Sequence, residues 1–202
     1  MCIFAVFKSI IVLKYIVLSI FLISATASNA QDIINWYTWE EGMTKAEETP
    51  KKFIVDLYTD WCGWCKRMDK ATFQNPEIAA YINENYIPIK FDAEQKGDIT
   101  FRDQLYKFVK GGRRGYHELA AMLTNGKLSY PTVVFIDEDR NVIQALPGFL
   151  DAETFDPIIH YFAEDSHQKI SWSAYLSRYK ETKNHAPSEK KGSGHTRLVK
   201  GN

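Results

Sequence analysis

The chain has 202 residues, 45% of them hydrophobic, and 25 basic side chains balance 25 acidic ones. That balance leaves no electrostatic footprint for nucleic acid as the main partner, and three cysteines are too few for a disulfide scaffold. About 150 residues carry globular patterning, enough for one domain with a substantial core and too few for two.

Residues 1–30 read as a signal peptide: Lys8 and Lys14 form a basic start, an apolar run follows from Tyr15 to Ile23, and Ser28-Asn29-Ala30 is a small-residue cleavage site. The run is about half of the ~20 residues that a spanning helix needs, so removal is expected over anchoring. Cys2 has no lipobox residues before it and leaves with the leader. Cleavage gives 23 basic against 25 acidic residues, net −2, with two cysteines remaining. Export, expected to the periplasm, puts that lone pair in an oxidising compartment, where it reads as redox-active.

The domain is expected over residues 31–179. A strand over Ile33 to Tyr37 precedes a short helix over Glu40 to Glu48, which stops before Pro50. The strand Phe53 to Tyr58 runs into Trp61-Cys62-Gly63-Trp64-Cys65-Lys66, and an amphipathic segment follows. Cys62 therefore sits at a helix N-terminus, where unpaired backbone amides favour a thiolate, making it the nucleophile and Cys65 the resolving thiol. The helix breaks at Asn75-Pro76, resumes over Glu77 to Asn83, and leads to a strand over Ile87 to Asp92. Strand, helix, strand of this length is a right-handed βαβ unit with parallel strands, and Cys62 lies at their C-terminal edge.

An insertion, residues 95–114, follows, in which Ile99 to Phe101 and Tyr106 to Val109 pair as a hairpin. It borders the edge that carries Cys62. A helix over Tyr116 to Thr124 ends at Asn125-Gly126, a left-handed cap signal. Strands over Pro131 to Ile136 and Val142 to Leu146 are joined by a turn at Asp137 to Asn141. Helices over Ala152 to Phe162 and Ser171 to Tyr179 complete the domain. The tail, residues 180–202, holds six basic and two acidic residues with few apolar ones and is expected to be disordered, which leaves the domain at −6.

Four separated features resemble the thioredoxin superfamily: Val55-Asp56-Leu57, the Trp61 to Lys66 motif, Tyr130-Pro131-Thr132, and Gly148 beyond the last strand. Within it, Asp56 to Cys62, Lys66 and Ala71-Thr72-Phe73 look like the periplasmic thioredoxin-like domain that ends the bacterial transmembrane reductase DsbD. The resemblance implies an α/β fold, a three-layer sandwich with a central mixed sheet flanked by helices and an insertion before the cis-Pro strand. It also implies thiol–disulfide exchange with protein disulfide or dithiol substrates, without a cofactor or metal, in a monomer fed by a membrane electron donor. Cys62 would attack, Cys65 would resolve, and a buried Asp56 would accept the Cys65 proton. Asp69, four residues after Cys65, matches a second acidic position, and Lys90 would take the place of the family's buried lysine. Pro131 would be cis, exposing the Tyr130 backbone to a bound peptide, with Trp61, Gly63 and Trp64 completing the substrate surface.

Each assignment has a plainer alternative. The cysteines could be half of a zinc site, although no second pair completes four ligands, and haem attachment would need His where Lys66 stands. Asp56 could cap or pair within the core, Asp69 could be an ordinary helix acid, and Pro131 a trans proline opening a strand. His117 reads as a surface residue, Lys110, Arg113 and Arg114 as a solvated face or a substrate-docking patch, and Trp36, Trp39 and Trp172 as packing residues. Trp64 replaces the proline common in thioredoxins, so the reduction potential does not carry over. The other class of reading is a thioredoxin-fold binding or adaptor module with a structural CxxC.

Overall fold

A computed structural model describes residues 33–185. The expected leader, with Cys2 and the Ala30 cleavage position, and tail residues 186–202 lie outside the described residues. The expected first strand, Ile33 to Tyr37, is corrected to a single parallel bridge between Tyr37 and Ile89. Tyr37 donates to the Pro88 carbonyl at 2.9 Å and accepts from the Lys90 N–H at 3.0 Å. The next ladder bond would need an N–H from Pro88, which has none. The Asn35 N–H goes instead to the Asn83 side chain at 2.9 Å.

Thr38 then starts helix α1 (Trp39–Glu48) with a reciprocal cap: its hydroxyl accepts from the Glu41 N–H at 3.2 Å, and the Glu41 carboxylate accepts from the Thr38 N–H at 2.9 Å. Thr38→Ala is expected to lower stability by about 1 kcal/mol in urea unfolding with an unchanged far-UV spectrum. A loss below ~0.3 kcal/mol would show that the cap is dispensable.

Strand β1 (Lys52–Tyr58) leads into helix α2 (Gly63–Met68), one π-helical turn over Asp69–Phe73, helix α3 (Pro76–Asn85) and strand β2 (Tyr86–Asp92). The break falls where the sequence put it. The Asn75 side chain caps α3 by accepting from the Glu77 and Ile78 N–H groups, and Pro76 occupies the first helical position, where a missing donor costs nothing. β1 and β2 are parallel, with Asp56 beside Lys90.

The insertion forms two hairpins, β3 (Ile99–Phe101) with β4 (Gln104–Tyr106) and β5 (Phe108–Gly111) with β6 (Arg114–His117). The expected pairing of Ile99 to Phe101 with Tyr106 to Val109 is corrected, because Arg102 and Asp103 take φ of 52° and 62° and close a two-residue turn. Arg-Asp lacks the usual Asn-Gly signature of such turns. In the second hairpin the Phe108 ring lies over Gly115, where a Cβ would stand 2.2 Å from a ring carbon. Tyr116 and His117 belong to β6, so helix α4 (Glu118–Leu123) starts two residues later than expected. Strands β7 (Thr132–Ile136) and β8 (Val142–Pro147), helix α5 (Ala152–Ala163), a short turn at Ser166–Gln168 and helix α6 (Trp172–His185) follow. The expected tail boundary is corrected accordingly: residues 180–185 continue α6, where Tyr179 and Lys183 both donate to Asp156.

The sheet order is β2-β1-β7-β8, with β7 antiparallel to both neighbours. Alternation along β1 divides the core. Ile54 joins Met68, Phe73, Ile78, Phe135 and Phe155 on one face, while Phe53, Val55 and Leu57 join Trp39, Phe91, Leu119 and Leu123 on the other. Helices α1 and α4 cover the second face together with Ile99, Phe101 and Tyr106 of the insertion; α2, α3, α5 and α6 cover the first. The three-layer α/β sandwich with a mixed sheet is the one expected. Asp56, two residues from Ile54, faces the layer that holds α2.

Candidate active site

Trp61 and the cysteines follow directly on β1. The Cys62 N–H donates to the Thr59 carbonyl at 3.0 Å, which turns the chain, and Cys62 becomes the N-cap residue of α2. Its Sγ accepts from the Cys65 N–H at 3.0 Å, the geometry that would hold charge on a thiolate once the pair is reduced. Cys62 and Cys65 are joined in a disulfide with Cα atoms 5.3 Å apart. Both residues are buried, and two exposed indoles stand next to them in the chain, Trp61 at 51% and Trp64 at 55% exposure. Nothing lies within 4 Å of the place a Cβ would take on Gly63, so the approach between the indoles is open.

The Tyr130–Pro131 peptide bond is cis. The Pro131 carbonyl accepts from the Gly148 N–H at 2.8 Å, and Gly148 has φ +99°, a conformation that side chains rarely tolerate, which ties the loop after β8 to the start of β7. The Tyr130 ring meets Trp61 edge to face at 6.0 Å, so the cysteine loop and the cis-proline loop share one surface. Burial pushes the Tyr130 phenol up to about 12, and it stays neutral.

Asp56 is 2% exposed. One of its carboxylate oxygens contacts the Lys90 ammonium at 2.5 Å, and the other has no partner. Burial pushes its pKa up from 3.8 to about 6, against the opposing pull of Lys90. Lys90 also contacts Asp69, so the one ammonium bridges both acids. Burial alone would lower the Lys90 pKa, but the two carboxylates outweigh it and raise it. The ammonium also lies 5.1 Å from the Trp36 ring, 5.2 Å from Tyr58 and 5.5 Å from Phe73, an aromatic box that fixes the cation between the acids. Asp69 sits one turn beyond Cys65, and its carbonyl accepts from the Gln74 N–H at 3.1 Å, the long bond that opens the π turn. The structure thus brings Asp56, Asp69 and Lys90 together at the C-terminal end of α2, the helix that begins at Cys62. A base near pKa 6 beside a fixed cation can exchange a proton at neutral pH.

Sequence reasoning missed several contributors. The Glu94 carboxylate accepts from the Trp61 indole N–H at 3.0 Å, and the Arg114 guanidinium lies 4.0 Å from the centre of the Trp61 ring. On the other side, Arg67 lies 5.1 Å from Trp64 and 5.4 Å from Phe149. A solitary Arg in an insertion carries no signal of what it will stack upon. His117, expected at the surface, is corrected to a fully buried cap: its Nδ1 accepts from the Leu119 N–H at 3.2 Å, so Nε2 carries the proton and donates to the Gly97 carbonyl at 2.9 Å. Trp39 is buried as expected, Trp36 is half-buried, and Trp172 lies at the exposed margin beside Tyr161.

A family model described as Thioredox_DsbH, protein of unknown function, DUF255, matches residues 19–154. An uncharacterized protein of Caenorhabditis elegans is 34% identical over 117 residues, which are 57% of this chain and 14% of that protein. The thiol:disulfide interchange protein DsbD of Haemophilus influenzae (strain 86-028NP) is 29% identical over 120 residues, 58% of this chain and 17% of DsbD. A solved structure of a DsbH oxidoreductase matches with TM-score 0.49 and 17% identity, covering 70% of this chain and 92% of that one. The chain spans less than a fifth of the length of these two curated relatives.

Proposed function

The chain belongs to the Thioredox_DsbH family, with a cysteine pair at CxxC spacing, and from that premise we propose that it is an exported, periplasmic protein thiol–disulfide oxidoreductase working as a reductase. The observation that carries this reading is the Cys62–Cys65 disulfide at the start of a helix whose other end joins the Asp56–Lys90–Asp69 cluster, with Asp56 buried in it. A structural pair would need no such cluster. Similarity to DsbD supports protein disulfides as substrates, and the leader-like residues 1–30 support export. No cofactor is required.

In the reduced protein the Cys62 thiolate attacks a substrate disulfide; one S–S bond breaks, one substrate thiolate leaves and takes a proton, and a mixed disulfide forms. Cys65 passes its proton to Asp56 and attacks Cys62 Sγ, which expels the second substrate thiolate and closes the Cys62–Cys65 disulfide. Two electrons have moved to the substrate. A dithiol donor, in this reading a membrane electron donor, restores the pair by the reverse sequence. Lys90 holds Asp56 ionised at neutral pH, and Trp61, Gly63, Trp64, Tyr130 and Pro131 form the surface on which the substrate chain lies.

The test is insulin reduction by dithiothreitol, followed as turbidity. The protein at a few micromolar is expected to bring precipitation forward relative to dithiothreitol alone. An unchanged onset would favour an adaptor module with a structural CxxC.

A further inference from the structure

The β5–β6 hairpin stands apart from the rest of the domain in charge. Residues 107–117 hold Lys107, Lys110, Arg113 and Arg114 and no acidic side chain, in a domain with an excess of acids. Lys107 lies 3.5 Å from Asp98. Among the described residues, no carboxylate lies within ion-pair distance of Lys110, Arg113 or Arg114, and all three are exposed. Unpaired cations on a projecting tip keep their full field for an incoming partner.

The hairpin is also held in place. At its root the His117 N–H donates to the Ala93 carbonyl at 2.7 Å, the Glu118 N–H to the Lys107 carbonyl at 2.9 Å, and the Lys107 N–H to the Glu118 carboxylate at 2.8 Å. Phe108 crosses Gly115 and braces the two strands. At its far end Arg114 lies on the outer face of Trp61, the residue next to Cys62, while Glu94 and Tyr130 fix that indole from other sides. Arg114 is thereby committed to the ring, while Arg113 in the turn and Lys110, opposite Gly115, are exposed on the same hairpin.

We propose that this arm selects the substrate: Lys110 and Arg113 attract a protein whose reactive disulfide is bordered by Asp or Glu, and the Arg114–Trp61 stack delivers that segment to Cys62. The inference rests on the oxidoreductase reading and names the substrate class for the same site. The Glu94 carboxylate, which accepts from Trp61, and Asp92 beside it lie near the thiols, so the cations of the arm act on the flank of the substrate and not on the segment directly over Cys62. A peptide extended over the cis-proline loop meets Trp61 first, and its flank then lies within reach of the tip. Steering of this kind acts mainly on the rate of encounter and weakens as salt screens it.

The experiment compares reduced wild type with Lys110→Glu/Arg113→Glu, two exposed positions outside the exchange machinery. Second-order rate constants are measured for two synthetic peptides of equal length, each closed by one disulfide, one flanked by Asp and Glu and one by Lys, with the uncharged reagent 2,2′-dithiodipyridine as reference. Wild type is expected to reduce the acidic peptide about tenfold faster than the basic one at low salt. The double variant should lose or reverse that preference and keep its rate with dithiodipyridine. Equal rates for the two peptides in wild type, or a preference that survives the double substitution, would overturn the proposal. Loss of reaction with dithiodipyridine in wild type itself would remove the oxidoreductase reading, and this inference with it.

Discussion

Cys65→Ala is expected to stop exchange halfway and to accumulate a mixed disulfide between Cys62 and its substrate, while Cys62→Ser forms none and reduces insulin no faster than dithiothreitol alone. The asymmetry follows from the start of α2. Cys62 is the N-cap residue, its sulfur already accepts the Cys65 N–H, and the open approach over Gly63 leads to it. Cys65 lies one turn inside, buried, with its sulfur bonded to Cys62. Without the second thiol the first covalent step still proceeds, but nothing expels the remaining substrate sulfur. Non-reducing gels of a periplasmic extract incubated with the alanine variant, resolved again after reduction, read the outcome. Trapping by Cys62→Ser in place of Cys65→Ala would reverse the two roles.

Asp56→Asn is expected to slow resolution about 10²-fold at pH 7, because asparagine keeps the shape of the side chain and cannot accept the Cys65 proton. Wild-type rates should climb as pH rises through about 6, where Asp56 loses its proton, and the variant should lack that step. Stability moves the other way. Between its unfolded value near 3.8 and its native value of about 6 the buried acid binds more proton in the folded chain, so this group stabilises the fold less as pH rises through that window. The size is about 2–3 kcal/mol at neutral pH, at 1.36 kcal/mol per pKa unit. Asp56→Asn removes that cost and leaves Lys90 paired with Asp69, so the variant should melt no lower than wild type at pH 7. Stopped-flow exchange and thermal melts across pH 4 to 8 decide both halves. Equal rate constants for wild type and variant at every pH would leave Asp56 a purely structural acid.

The two predictions separate what Cys62 does from what lies beneath it, and the sequence was legible to different depths in those two layers. Signals that act within a few residues held. Pro76 and Asn75 break and restart the helix at the expected place, and Asn125 and Gly126 take the left-handed conformations that close α4. Backbone chemistry fixes these whatever the rest of the chain does. The Ile33 to Tyr37 strand failed because its partner, β2, carries Pro88 where a donor was needed, a fact about another segment. The insertion failed in register because two ordinary residues, Arg102 and Asp103, adopt a turn that local propensity does not favour, and burial of Ile99, Phe101 and Tyr106 holds it.

By itself the sequence determined the thiol pair, its place at a helix start and the acid in the preceding strand, because each is a residue type in a local frame, and the resemblance it carries pointed to the cis bond before Pro131. Only the tertiary structure decided what surrounds them. Parallel pairing sets Lys90 opposite Asp56, the π turn lowers Asp69 onto the same ammonium, and the aromatic box of Trp36, Tyr58 and Phe73 is gathered from three segments. The same holds for Arg114, which comes to rest on Trp61 although 52 residues lie between them. Charge and π contacts of that kind depend on distances of 4 to 5 Å across the fold, and a distance between remote residues exists only once the chain has packed.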